Sequence, residues 1–182
     1  MRLDRARRVS WVRVEYDDAF SSLRRTPQTL RSYFEGLSGA WLEGDEGLGT
    51  WTPFETLAHI VHIEPTWMKR LQHIAQHGDA EPFPLVDRSG HLDVLGHLDV
   101  GELLDRFSEV RADGLERLAE LDYRPEKPGL HGELGTVLMG QLLAAWVTHD
   151  LNHLGQIVKT MAKQYRTAIG PWRTFLAIVD AE

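Results

Sequence analysis

The chain carries most of its apolar residues at helical spacing. Thr26-Pro27 reads as an N-cap followed by proline at the first helical position. Leu30, Tyr33, Phe34 and Leu37 then recur as the stripe of an amphipathic helix. Helical patterning already begins near Asp17-Asp18, with Phe20 and Leu23 on one side. Pro27 is therefore expected either to kink one long first helix or to separate two short ones. Gly44 to Gly49 form a loop. Thr52-Pro53 repeats the cap-plus-proline signal, and Glu55, three residues after Thr52, completes a capping box. The second helix carries Phe54, Leu57, Ile60, Val61, Met68 and Leu71 and runs to about His77. Pro65 is expected to bend it or end a segment.

Residues 78–98 are the longest irregular stretch, and a connection of that length inside a compact domain often covers a site. It contains His91-Leu92-Asp93-Val94 followed by His97-Leu98-Asp99-Val100. This repeat is too short for a structural unit, and its histidines read as surface residues. Asp99, with Glu102 three residues on, caps a third helix striped by Leu103, Phe107, Val110, Leu118 and Leu121. Pro125, Pro128, Gly129, Gly132 and Gly135 mark the next connection. The fourth helix is predicted from near Thr136 to about Tyr165 and is the most apolar. After Gly170-Pro171, the residues Trp172, Phe175, Leu176 and Ile178 predict a short terminal helix docking back on the body. No stretch alternates convincingly as a strand. The pattern predicts an all-α four-helix bundle with a long connection between helices two and three.

The formal net charge is −7, and the chain has no cysteine. Acidity argues against a nucleic-acid partner. The absence of cysteine excludes disulfides, thiolate ligands and a cysteine nucleophile. Arg2, Arg5, Arg7 and Arg8 form a basic cluster that reads as a solvated N-terminal arm over residues 1–15, ahead of a single bundle domain over 16–182. No apolar run approaches the ~18 residues of a membrane span, and the charged N-terminus lacks the apolar stretch of a secretory signal. The expected location is cytoplasmic, with neither membrane nor nucleic acid as partner.

Candidate chemistry sits on the fourth helix. Its inward stripe reads Leu142, Trp146, His149, His153, Ile157. His149 and His153, four residues apart, lie one turn apart on one face. Both rings fall between residues expected to be buried, where a polar ring needs a partner; a shared metal ion would satisfy both. The second helix offers His59 and His62 as a third ligand, and periodicity does not choose between them. His73 and His77 are also four apart, but they lie at the polar end of that helix and read as exposed.

Three segments carry a family resemblance. Gly49-Thr50-Trp51-Thr52-Pro53 leads into Leu57-Ala58-His59-Ile60. Trp146 to Ile157 contains an HxxxHxxQ pattern. Ala162 to Tyr165 and Gly170 to Arg173 form a similar tail. In this order the chain resembles the DinB/YfiT-like superfamily of metal-binding four-helix bundles, with an up-down-down-up arrangement expected. The resemblance implies His59 as the third ligand, giving a metal triad of His59, His149 and His153. It matches Glu64 to a frequently acidic position.

Three neutral imidazoles leave a divalent ion its full charge and an open position, the arrangement of catalytic sites. Zinc and nickel both suit such a site, and iron is compatible. Relatives include thiol-dependent transferases, which implies a metal-dependent enzyme activating a low-molecular-weight thiol for S-transfer to a small electrophilic substrate. A hydrolase using metal-activated water is the alternative within enzymes, and a non-catalytic metal-stapled bundle the alternative outside them. Family habit implies a homodimer. Asp150 reads as a surface or inter-helix residue, and Gln156 as a partner for a ligand, a substrate or buried backbone.

Overall fold

A computed structural model describes residues 15–84, 86–87 and 89–180. The predicted N-terminal arm lies outside the described residues except for Glu15, which precedes the first helix. In chain order the elements are α1 (Tyr16–Phe34), a short α2 (Ala40–Glu43), α3 (Pro53–His77), a short α4 (His91–Leu95), α5 (Val100–Glu120), β1 (Pro128–His131), β2 (Gly135–Leu138) and α6 (Met139–Lys163). Two 3₁₀ turns, Gly170–Phe175 and Ala177–Val179, follow.

Local chemistry explains where the long helices start and stop. Thr52 and Asp99 each accept a bond from the backbone N–H three residues on, and Glu55 and Glu102 reach back to the cap N–H groups. Both predicted capping boxes are therefore present. Gly78 ends α3 with φ 60, a backbone conformation that costs glycine little. α1 runs unbroken through Pro27 and α3 through Pro65. Pro27 has no N–H to give the carbonyl four residues earlier, that of Leu23. That carbonyl instead accepts from Nη1 of Arg111 at 2.6 Å.

α1 and α3 both pack against α5 and α6. The side chains reveal the directions. Tyr16, at the start of α1, bonds the carbonyl of Leu118 near the end of α5, and Arg31 near the end of α1 bonds Asp105 near the start of α5; this pair is antiparallel. Arg117, late in α5, bonds Gln72, late in α3, so those two helices run in parallel. His59 of α3 meets His153 of α6, while Trp67 meets His149, so α6 runs back against α3. The order is up-down-down-up, and the parallel α3–α5 pair is what the long connection over 78–98 makes possible.

The core has two apolar clusters. One gathers Leu23, Met68, Leu71, Leu118, Leu143 and Trp146; the other gathers Leu30, Phe34, Leu57, Ile60, Phe107 and Ile157. Each fully buried side chain of this size contributes about 1.5–3 kcal/mol of hydrophobic stabilisation. Arg111 lies between the clusters, its guanidinium 4.7 Å from the ring centre of Phe107 and 5.3 Å from that of Trp146.

Three expectations are corrected. The connection before α6 is an antiparallel hairpin, with Pro128 paired to Leu138 and His131 to Gly135, so α6 begins at Met139 rather than Thr136. Its strands are only four residues each, too short to show alternation. The tail forms 3₁₀ turns that do not bury their aromatic residues: Trp172 and Phe175 remain 69% and 78% exposed, and Val179 alone among its residues is buried. The 78–98 connection contains α4, whose His91 is buried rather than at the surface.

Candidate metal centre

α3 and α6 bring the three predicted histidines together. One possible ligand nitrogen from each of His59, His149 and His153 lies within 4.8 Å of the others. The ring centres are 4.9 Å apart for His59 and His153, 5.5 Å for His59 and His149, and 4.4 Å for His149 and His153. His59 and His153 are buried and His149 half-buried. His62 does not join them. Its Nε2 donates to the carbonyl of Asp87 at 3.0 Å, a strut for the 78–98 connection. His73 donates to the carbonyl of Glu81 and rests against His77 at the exposed end of α3.

Two of the rings are held in the neutral form that suits a metal ligand. Nδ1 of His153 lies 2.9 Å from Oε1 of Gln156. An amide oxygen only accepts, so Nδ1 carries the hydrogen and Nε2 keeps its lone pair. Burial lowers the pKa of the His149 imidazole to about 3, with His153, His59 and the Arg111 cation adding to the shift. Burial also lowers that of His153, against the opposing pull of Gln156 and Asp150. Both are neutral at pH 7, and neutral imidazole is the ligating state. Nδ1 of His149 is buried with no hydrogen-bond partner, an arrangement that a metal ion would relieve. The donor set and the unpartnered nitrogen fit a divalent ion.

Trp51 packs against the cluster, its ring centre 4.7 Å from His59, 6.4 Å from His153 and 4.8 Å from His91. The loop that presents Trp51 is tied to α6 through Glu46, which accepts from Thr160 and Lys163 and pairs with Lys159. Trp51 thus stacks against the rings as well as marking the start of α3. His91 packs edge-on against both Trp51 and His59. It adds an aromatic wall but no nitrogen within the ligand cluster.

Beneath the histidines is a charged layer that the sequence only hinted at. Arg111 of α5 donates through Nε and Nη2 to Glu64 of α3, and through Nη1 and Nη2 to Asp150 of α6 at 2.8 and 3.1 Å. Trp146 Nε1 adds a bond to Glu64 at 3.2 Å. Burial works against the Arg111 charge, but its bonds to the two carboxylates prevail and raise its pKa. Burial raises the pKa of the Glu64 carboxyl, and the Arg111 bonds offset that only in part. Glu64 accepts three N–H groups, the environment of a carboxylate. Two carboxylates and one guanidinium leave the layer with net charge −1, favourable beneath a cation. Of the two readings of Asp150, surface or inter-helix, the structure shows the second: it is buried and bonds Arg111 across helices. Arg111 itself was missed, although its position four residues after Phe107 and four before Leu115 places a charge on an apolar stripe.

The cluster opens onto a cavity of about 260 Å³ lined by His59, Ile63, Thr66, Trp67, Arg70, Val86, His149 and His153. Val86 comes from the 78–98 connection, which thus helps wall the site. A larger, open groove of about 990 Å³ lies between the N-termini of α3 and α5. It has no histidine of the cluster on its walls, so the smaller cavity is where the chemistry points.

The model of the DinB superfamily matches residues 22–157. The chain belongs to the DinB superfamily. Among solved structures it is similar to YfiT from Bacillus subtilis, described as a probable metal-dependent hydrolase with an unusual four-helix bundle topology. That likeness has a TM-score of 0.73 and 16% identity over 86% of this chain and 91% of YfiT. It is also similar to TT2238, a four-helix bundle protein, with a TM-score of 0.57 and 21% identity over 79% of this chain and 98% of that one. At these identities the likeness establishes the fold. No curated protein sequence matches the chain.

Proposed function

We propose that this DinB-superfamily protein is a metal-dependent enzyme. In this reading His59, His149 and His153 hold a divalent ion, zinc or nickel, on one wall of the cavity. The observation that carries the reading is three imidazoles converging beside a space large enough for a small ligand. When bound, such an ion supplies Lewis acidity and lowers the pKa of a coordinated nucleophile. The protein's own residues do the rest. Gln156 orients His153, Trp51 and Trp67 exclude water from the imidazoles, and the Glu64–Arg111–Asp150 layer fixes the spacing of α3 and α6.

The nucleophile we favour is the sulfur of a low-molecular-weight thiol. No carboxylate lines the cavity among the described residues, so no side chain there suits the general-base role that activating water requires. A thiol needs less help, because its ordinary pKa is already near neutral. In S-transfer the thiol's proton passes to solvent, sulfur forms a bond to the electrophilic carbon, and the leaving group departs with its bonding pair. Hydrolysis is the second reading, favoured by the description of YfiT.

The test is to incubate metal-loaded protein with thiols and an alkyl halide, and separately with esters and amides without thiol. Product that requires both thiol and metal is expected. Product formed without any thiol would replace S-transfer by hydrolysis. Metal loss that unfolds the protein, with no turnover in either assay, would leave a metal-stapled bundle.

A further inference from the structure

Beyond His59, the face of α3 that lines the cavity carries Ile63, Thr66 and Trp67, and Val86 of the 78–98 connection lines it too. Trp67 is held there from two sides. Its ring stands edge-on to His149, with centres 5.1 Å apart. It also packs against the core cluster that contains Met68 and Trp146. We propose that the molecule bound at the histidine site presents an uncharged apolar group, a short alkyl chain or one small ring, to Ile63, Trp67 and Val86, and that Trp67 sets the size of group admitted. This rests on the metal reading above and adds the substrate class.

His59 and Trp67 are eight residues apart, a rise of ~12 Å along the helix. Helical side chains lean toward the N-terminus, which agrees with the contact between Trp67 and His149. The indole therefore stands beside the histidines rather than at a distant rim. Ile63 and Val86 carry no polar side-chain atom, and Thr66 adds one hydroxyl. A charged group laid against this wall would give up its hydration without a carboxylate among the described lining residues to pair with, whereas an apolar group gains by leaving water. Arg70 also lines the cavity, but its guanidinium lies 5.4 Å from the ring centre of Phe83, a residue of the neighbouring cavity.

Size points the same way. At about 260 Å³ the cavity is below the usual range for drug-sized ligands. Trp67 is the largest side chain on its wall, and its packing against the core holds it in place. Truncating such a side chain leaves space that the surroundings fill only in part, so a smaller residue at position 67 should admit a longer group.

The test uses the full chain loaded with Co²⁺ and a series of probes anchored at the metal by their sulfur: ethanethiol, 1-propanethiol, 1-butanethiol and 1-hexanethiol. The charged probe 3-mercaptopropionate is set against 1-butanethiol. Binding is followed by the thiolate-to-cobalt charge-transfer band. In the wild type, affinity should rise about threefold to fourfold per methylene and level off before 1-hexanethiol. 1-Butanethiol should bind at least about tenfold more tightly than 3-mercaptopropionate. Trp67→Ala should move the plateau to longer chains, and Val86→Phe to shorter ones. Trp67→Phe should give a smaller shift in the same direction as Trp67→Ala, and it decides the matter if the alanine variant does not fold. Affinity independent of chain length, equal or tighter binding of 3-mercaptopropionate, a plateau unmoved by truncating Trp67, or no binding of any thiol would overturn the inference. Cobalt content is read first. Failure to load cobalt, or loading that survives His149→Ala, marks failure of the metal reading itself and removes this inference with it.

Discussion

The carbonyl of Leu23 accepts a hydrogen bond from Arg111 at 2.6 Å, and Pro27, four residues later, makes that carbonyl available by lacking an N–H. One arginine therefore joins all four long helices: α1 through this carbonyl, α3 through Glu64, α6 through Asp150, and α5 through its own backbone. Its side chain is 1% exposed, so both carboxylates depend on it for charge balance.

Replacing Arg111 by methionine should therefore be severe. It leaves Glu64 and Asp150 buried without their cation, and breaking a buried pair in this way costs about 3–5 kcal/mol. Thermal unfolding should show a fall of about 10 °C or more for a domain of this size. Arg111→Lys should recover only part of the loss, because an ammonium cannot serve two carboxylates and a carbonyl with the same planar fork.

The histidines should behave in the opposite way. His149→Ala removes a buried nitrogen that has no hydrogen-bond partner, so the metal-free protein should change in stability by about 1 kcal/mol or less. The same variant, and His59→Ala, should abolish stoichiometric metal uptake, as measured by elemental analysis. The rise in Tm that metal gives the wild type should disappear with it.

Metal-free stability should depend on pH through His149. Folded, its imidazole titrates at about 3; unfolded, it titrates near 6.5. Between these values the unfolded chain binds the additional proton, so stability rises with pH. The contribution is complete above about pH 6.5 and is lost as the pH falls toward 3. A single group of this kind contributes up to about 1.4 kcal/mol per pH unit in that window. Urea midpoints between pH 7 and 4.5 should fall more steeply for the wild type than for His149→Gln.

Gln156 should matter for affinity rather than folding. Its amide oxygen receives the Nδ1 hydrogen of His153 and so fixes which nitrogen faces the site. Gln156→Leu should weaken metal binding by about 10–100-fold with little change in Tm. Competition against a chromophoric chelator provides the measurement.

Much of this protein is legible in its sequence. The caps at Thr52 and Asp99, the stripes of the four long helices and the close pairing of His149 with His153 all follow from contacts within a few residues of each other. The choice of His59 over His62 is different: periodicity left both open, and family resemblance named His59. In the folded chain His62 is turned to the Asp87 carbonyl instead.

Tertiary structure alone decided the rest, because those features depend on which helices become neighbours. Locally, Pro27 and Pro65 leave a bend or a break equally open, and the packed structure has α1 and α3 continuous through them. His91 reads as a surface residue of a loop, but that loop folds it against Trp51 and His59. Arg111, Glu64 and Asp150 are 39 and 47 residues apart in the chain. No local pattern couples them, and only the parallel placement of α3 and α5, with α6 returning between α3 and α1, makes their charges one layer beneath the histidines.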